Sequence, residues 1–332
     1  MISFPFIVAD IGGTNARFGL VTGDKDEHDR FLVHQQKVYP CADYKQFDDV
    51  FANYLAVVGN KAEIKEAAIA IAGPVIGDEV QMTNLSWRIS TPNLCRKFGF
   101  NSVKLINDFG ALAYVITKIK DHERIVIHYG KTSEETNANK VILGPGTGLG
   151  VAGLVKTANA WQPVCGEGGH VSFAAISDHQ SQLRKSLLSL SSDQQHLSIE
   201  NIISGPGIER LYRAHCKMDL VSPRELSAAQ ITTFATKKRD KQCINAMHDF
   251  SRILGATAGD IALSFGAFGG VYLSGGILPK IIECLDKQAL IKAYSEKGPQ
   301  KELLQSIPIY LITAEMPALV GAAHWLFDTH SD

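Results

Sequence analysis

Two stretches of the chain follow one pattern: an apolar run, a glycine-rich turn, a second apolar run. They are "IVADIGGTNARFGLV" at 7–21 and "VILGPGTGLGVAGLV" at 141–155. A short apolar run closed by glycines is strand-like, and two such runs about a tight turn form a hairpin. The second stretch reads as a diverged copy of the first. A duplicated α/β unit with a ligand cleft between its halves is therefore expected. A length of 332 residues leaves room for two domains, at roughly 150 residues each.

The segments between the hairpins fit that plan. Phe6 to Ala9 and Phe18 to Val21 read as strands, and 31–39 as a third. A helix is expected over 45–57, with Phe47, Val50, Phe51, Tyr54 and Leu55 on one face. Buried strands follow at 67–73 and 103–108, the second leading into a helix at 109–119. Later come a long helix at 245–265, strands at 271–277 and 307–313, and a terminal helix at 317–327. The polar segments 130–140 and 189–198 read as exposed loops.

Charge narrows the partners. The net charge is −1, so no basic surface advertises nucleic acid. A small anion is still within reach, because backbone dipoles bind it without net charge. The opening "MISFPFIVAD" has no basic n-region or small-residue cleavage site and reads as no signal peptide. No stretch is long and glycine-poor enough to span a bilayer. The six cysteines contain no C-x-x-C pair, which suits reduced thiols in a cytoplasm.

The glycine turns carry the first chemistry. Gly12 and Gly13 let amides face a ligand with no Cβ in the way, and Thr14, Asn15 and Arg17 add donors. A plain hairpin turn is the simpler reading of Gly-Gly alone; Asp10, Thr14 and Arg17 tilt it towards function. "GPGTGLG" at 144–150 fits neither G-x-G-x-x-G nor the Walker pattern. "GKT" at 130–132 is no P-loop either, because position 125 is Ile125. Two glycine hairpins with Asp10 beside a magnesium ion make a phosphate-binding candidate of a third kind.

Asp108 stands where a buried strand meets a helix. Aspartate is a good N-cap, and a carboxylate at a strand end can also take a proton from a substrate hydroxyl. Asn107 beside it can orient that hydroxyl. In "CGEGGHVSF", Glu167 and His170 are bracketed by glycines, and Cys165 makes a metal conceivable. One Cys and one His are poor support for zinc. A lone histidine in a glycine turn is more often structural, and the alternative is that Glu167 and His170 bind hydroxyls of a polar substrate. Glu200 precedes "NIISGPGIERLY" and reads as an acid at the start of a helix, favoured by its dipole.

Seven segments together resemble the bacterial glucokinases, sugar kinases of the actin-like ATPase superfamily. They are "ADIGGTNARFGLV" (9–21), "AIAGPVIGDEVQMTNLSW" (70–87), "LINDFGALAY" (105–114), "LGPGTGLGVAGL" (143–154), "GEGGHVSF" (166–173), "SIENIISGPGIERLYR" (198–213) and "FGGVYLSGGI" (268–277). The resemblance implies ATP-dependent phosphorylation of glucose on its 6-hydroxyl, the first step of glycolysis. It implies an actin-like (ribonuclease H-like) duplicated α/β fold: a smaller α/β domain (1–118 with 312–332) and a larger α+β domain (119–311) around a cleft. Asp108 matches the catalytic base. Asn107, Glu167, His170 and Glu200 match sugar-hydroxyl ligands. Ala9, Asp10, Ile11, Gly12, Gly13 and Thr14 match the ATP-phosphate loop, with Asp10 holding Mg²⁺ through water. Gly146, Thr147 and Gly148 match the second phosphate loop, and Gly275 and Gly276 the adenosine site. A cytoplasmic homodimer is implied, with glucose as substrate and no nucleic acid or membrane partner. Ala9 stands where many relatives have glycine. A related branch has a cysteine-rich zinc motif near its sugar-binding histidine; only Cys165 is present here, so no structural zinc is expected. A kinase for another hexose or an amino sugar, or a non-catalytic sugar sensor, are the alternatives.

Overall fold

The opening hairpin is β1 (Phe6–Ile11) and β2 (Asn15–Lys25). The structure is a computed structural model that describes residues 2–59, 63–82, 85–131, 137–158, 160–190 and 195–330. After the hairpin come β3 (Phe31–Pro40), α1 (Phe47–Val58), β4 (Glu66–Ile71), the short pair β5 (Glu79–Gln81) and β6 (Arg88–Ser90), α2 (Thr91–Phe98), β7 (Ser102–Asn107) and α3 (Asp108–Val115). From Arg124 the order is β8 (Arg124–His128), β9 (Lys140–Pro145), β10 (Leu149–Lys156), β11 (Trp161–Gly166), α4 (Asp178–Leu188), α5 (Gly205–Met218), α6 (Ala228–Thr236) and α7 (Lys241–Phe265). The chain ends through β12 (Val271–Leu273), α8 (Leu278–Ile281), α9 (Lys287–Ser295), α10 (Lys301–Ser306), β13 (Ile309–Ile312) and α11 (Pro317–His330).

The chain divides into two units. The first takes in Met1–Glu123, Ala152–Gly166 and Ala314–Asp332; the second takes in Arg124–Val151 and Glu167–Thr313. The first unit holds a five-stranded sheet in the order β3-β2-β1-β4-β7. β1 pairs antiparallel with β2 and parallel with β4, and β4 pairs parallel with β7. A strand alternates its side chains between faces, and β1 and β4 feed two cores this way. Ile7, Ala9 and Ile11, with Ala67, Ile69 and Ile71, join Phe47, Phe51 and Tyr54 of α1. Phe6, Val8, Ala68 and Ala70 join Leu319, Ala322 and Leu326 of α11. Both faces are covered, which is why β4 is apolar and buried almost throughout.

In the second unit β9 pairs parallel with β12, β12 parallel with β13, and β13 antiparallel with β8. β10 neighbours β9; its far end enters the first unit, where β11 pairs with it. Helix α7 is 25 residues long and contributes Met247, Phe250, Ile253, Leu254 and Ala258 to a core shared with α5 and α9. Local chemistry sets the helix starts. Ser177, Ser204, Ser227 and Asp240 each accept an amide of the first turn, opening α4, α5, α6 and α7.

Three sequence expectations need correction. The strand expected at 271–277 stops at Leu273, because Gly275 adopts φ +90° and leaves the ladder. Glu200 does not open a helix; α5 starts at Gly205, capped by Ser204. The helix expected at 109–119 keeps its α geometry only to Val115, then tightens into a 3₁₀ turn, Ile116–Lys118. Within the two expected loops, 132–136 and 191–194 lie outside the described residues. Among the described residues no helix is long and apolar enough to cross a membrane.

Candidate active site

Asp10 is the last polar side chain of β1 before the glycine turn. In the β1–β2 register it faces Arg17 directly, and Arg17 Nη1 donates to Asp10 Oδ2 at 3.0 Å. Directly opposed residues of antiparallel strands bring their side chains together. Burial pushes the Asp10 carboxyl above its ordinary pKa, and the Arg17 charge and hydrogen bond oppose this only in part. Arg17 is thus a partner of Asp10, where the sequence counted it with the turn donors. Of the loop residues, Ala9 and Ile11 are buried strand positions, while Gly13 and Thr14 are exposed at the tip. The turn is held from within: the Gly12 amide donates to Asn15 O at 3.0 Å and the Cys41 amide to Thr14 O at 2.8 Å.

Asn107 ends β7 and Asp108 begins α3. The cap expected of Asp108 belongs to Asn107. Asn107 Oδ1 accepts the amides of Phe109 and Gly110 at 3.0 and 3.1 Å, and Asn107 Nδ2 donates to Gly73 O at 3.0 Å. The ladder decides this: Asn107 pairs with Ile71, so the chain is still extended there and turns helical one residue later. Asp108 is left as a half-buried first-turn carboxylate, with Oδ1 accepting the Phe109 amide at 2.9 Å. Cys165, on β11, lies close by. A Cβ on Gly110 would sit 2.6 Å from its sulfur. Crowding by surrounding atoms, helped by the Asp108 charge, pushes the Cys165 thiol up to about 11, so it is protonated at neutral pH although part of the residue reaches solvent.

The second unit gathers Glu167, His170 and Glu200. The turn Gly168–His170 places His170 Nε2 at 3.9 Å from Glu167 Oε2 and 3.9 Å from Glu200 Oε1. Both distances are too long for hydrogen bonds. Glu200 is anchored by its other oxygen: the Leu149 amide donates to Glu200 Oε2 at 2.8 Å, and the Glu200 amide donates to Gly169 O at 2.9 Å. Its carboxylate is therefore held on a strand amide, not on a helix N-terminus as the sequence suggested. Gly148 makes room for it, since a Cβ there would lie 2.4 Å from Glu200 Oε2.

The second glycine loop also packs on backbone. The Gly146 amide donates to Gly148 O at 2.8 Å, and the Gly205 amide to Gly146 O at 2.9 Å. Gly275 needs its φ of +90° and its missing side chain, because a Cβ would fall 2.5 Å from Pro145 O. Thr147 and Gly276 are the exposed tips of the two turns. Sequence reasoning passed over Leu149 and Gly73, which act through an amide and a carbonyl that no side-chain motif marks. Ser204 was legible as a cap from the Ser-Gly-Pro order. Among the described residues, the one group of three His, Cys, Asp or Glu side chains with ligand atoms all within 4.8 Å contains neither Cys165 nor His170.

The profile of the glucokinase family matches residues 7–329. The chain belongs to the glucokinase family. Glucokinase of Saccharophagus degradans is 39% identical over 326 residues, covering 98% of this chain and 99% of that one. The crystal structure of a glucokinase from an Antarctic psychrotroph matches with a TM-score of 0.86 at 36% identity, covering 98% of this chain and 100% of that one. A ROK family glucokinase from Streptomyces griseus, crystallised with glucose and AMPPNP, matches at TM-score 0.63 and 18% identity, over 96% and 98% of the two chains. That last likeness is one of fold. The family's fold is the duplicated α/β fold of actin-like ATPases, and the two glycine hairpins β1–β2 and β9–β10 are its repeated element here.

Proposed function

We propose that the chain transfers the γ-phosphoryl group of ATP to the 6-hydroxyl of D-glucose, giving glucose 6-phosphate and ADP. The observation that carries this reading is the Glu167–His170–Glu200 group. Three polar side chains converge without bonding one another, on a chain that matches the glucokinase family over residues 7–329. Separations of 3.9 Å leave hydrogen-bonding capacity for hydroxyls that sit among the three.

Asp108 is the base. Its carboxylate takes the proton of the sugar 6-hydroxyl as that oxygen attacks the γ-phosphorus and the bond to the β-phosphate oxygen breaks. Asn107 spends its amide on the α3 cap and on Gly73 O, which fixes the backbone that carries Asp108. Glu167, His170 and Glu200 hold the remaining sugar hydroxyls. The amides of Gly13 and Thr14 and of Thr147 and Gly148 meet the phosphates, while the Gly12 and Gly146 amides hold the two turns, and Gly275 and Gly276 give the adenosine a flat, side-chain-free wall. Phosphoryl transfer asks the protein chiefly for positioning and charge stabilisation, which fixed backbone turns supply.

Mg²⁺ fits the first loop. Asp10 offers a hard oxygen donor at a strand end, next to the exposed turn of Gly13 and Thr14, and a cation that keeps most of its waters suits a single carboxylate. A magnesium ion held there by Asp10 would supply positive charge against the phosphates of ATP. Arg17 holds the Asp10 side chain in one orientation for that role.

A coupled assay that follows ADP with purified chain, across glucose, mannose, fructose and N-acetylated amino sugars, tests the reading. Turnover should be greatest with glucose. Preference for another sugar reassigns the substrate, and no sugar-dependent turnover removes the kinase reading. A homodimer in a reducing cytoplasm completes the proposal. The six free thiols are compatible with that compartment, and light scattering should give twice the chain mass of 36.1 kDa.

A further inference from the structure

Three helices of the second unit meet at a group that the kinase chemistry does not use. His179 lies on α4, His215 on α5 and Asp249 on α7. His179 Nε2 is 2.7 Å from Asp249 Oδ2, and His215 Nε2 is 2.9 Å from the same oxygen. The two rings are nearly parallel, with centroids 5.9 Å apart and planes 28° apart. Asp249 is 1% exposed and His215 4%, whereas the His179 side chain is 44% exposed. The three ligand atoms lie within 4.8 Å of one another.

The second carboxylate oxygen is the unusual feature. Asp249 Oδ1 is buried and has no hydrogen-bond partner among the described residues, although both imidazoles crowd onto Oδ2. Buried acceptors are nearly always satisfied. A buried carboxylate with one oxygen doubly used and one unused is a donor set waiting for a cation.

The geometry points to a divalent-metal site of the zinc class formed by His179 Nε2, His215 Nε2 and the Asp249 carboxylate, tying α4, α5 and α7 together. Imidazole and carboxylate are ordinary zinc ligands, and bonds of about 2.0–2.1 Å place tetrahedral ligand atoms roughly 3.3 Å apart. The observed pairs at 2.7 and 2.9 Å need to open by only a few tenths of an ångström. Each neutral imidazole moves its proton from Nε2 to Nδ1 and presents a lone pair where it now donates, so a neutral ring loses no proton. With Oδ2 on the ion, Oδ1 accepts a hydrogen bond from the water that completes the tetrahedron. The fourth position is left to water on the His179 side, where the group reaches solvent. This site is separate from the Cys165–His170 segment, where one Cys and one His are poor support for zinc.

The full chain, stripped with chelator and dialysed, should be titrated with Zn²⁺ while thermal unfolding is followed, and with Co²⁺ while visible absorption is followed. One saturable equivalent is expected, with a rise in unfolding temperature, since an ion that binds only the folded state stabilises it by mass action. Co²⁺ should give the strong visible bands of a tetrahedral centre. His179→Gln removes the half-exposed ligand and spares the buried pair, and it should weaken Zn²⁺ binding at least about tenfold. Asp249→Asn should abolish the Co²⁺ bands. The same titration on His122→Gln, a histidine outside the group, should match the parent chain. Absence of saturable binding overturns the site and leaves a hydrogen-bonded triad. Equal binding by the His179→Gln chain overturns it as well, by placing the ion elsewhere. Neither outcome bears on the kinase reading, which the sugar assay tests separately.

Discussion

The Leu149 amide pins Glu200 through Oε2 at 2.8 Å, and this leaves Oε1 turned towards His170 at 3.9 Å. One oxygen serves the fold and the other is available to a ligand. Glu200→Gln keeps an acceptor for Leu149 and removes the charge. Loss of one hydrogen bond to a charged group costs about 1.5–3 kcal/mol, so glucose should bind roughly 10–150-fold more weakly with the fold intact. Gly148→Ala should do the same from the other side, because its Cβ would push the carboxylate aside by contact at 2.4 Å. Calorimetry with glucose reads both variants. Unchanged affinity in both would return Glu200 to a purely structural role.

Asp108 and Asn107 divide two jobs that adjacent residues often share. Asn107 carries the α3 cap, so Asp108→Asn should leave unfolding nearly unchanged, apart from the ~0.3–1 kcal/mol a first-turn acid gains from the helix dipole. Its kcat should fall by ~10²–10⁴, the range for a lost general base, with glucose affinity nearly kept. Asn107→Ala should show the reverse balance, losing ~0.5–2 kcal/mol of stability with the cap. Steady-state kinetics and denaturant melts on the pair separate the roles. Near-normal turnover by a folded Asp108→Asn chain would end the base assignment.

This division also shows what was legible beforehand. Asn-Asp before an apolar run announces a cap, and both residues are good ones. The choice rests on where the β4–β7 ladder ends, which is a tertiary fact. The strands of both hairpins and the helices α1, α7 and α11 could be read from spacing, because each has a long apolar face. Helix α4 could not: it buries Gln180 beside Leu183 and Leu187, and apart from Leu188 its other residues are polar. β8 lies at the edge of its sheet and buries only Ile127. The site acids could be located by motif, but their partners could not. Arg17 looked like a phosphate donor until the register put it opposite Asp10. His179, His215 and Asp249 share no motif, because three separate helices deliver them.

The Asp10–Arg17 pair makes a prediction about pH. Asp10 is largely buried and its folded pKa is raised. It therefore takes up a proton more readily folded than unfolded, and its ionisation costs stability as pH rises through the folded pKa. That cost is absent well below the ordinary carboxylate value. Arg17 offsets part of it, so Arg17→Gln should destabilise the chain more at pH 7 than at pH 4. The loss at pH 7 should fall between the ~0–1 kcal/mol of a surface pair and the 3–5 kcal/mol of a fully buried one, because the Arg17 side chain is 34% exposed. Urea melts at the two pH values measure it. Equal losses at both would mean that Arg17 does not act through the Asp10 charge.

His324 provides the opposite sign. It sits on α11 at 2% exposure, and its Nε2 accepts the Phe31 amide at 3.1 Å, which requires a neutral ring at that nitrogen. Burial first, and then the charges of Lys118 and Lys25, push its pKa down to about 3 from 6.5; Arg30 acts in the same sense and Asp29 opposes them. The unfolded chain binds this proton below pH 6.5 and the folded chain does not. The contribution of His324 is therefore complete above 6.5 and is lost as pH falls towards about 3. The loss runs at ~1.4 kcal/mol for each pH unit within that window. His324→Gln keeps a side-chain acceptor for Phe31 and cannot titrate. Whatever its stability at pH 7, the slope of its unfolding free energy between pH 6 and 4 should be shallower than the parent's by about one proton. Denaturant melts across that range give the slope directly. Parallel curves for the two chains would show that His324 is not the group through which acid loosens α11 from β3.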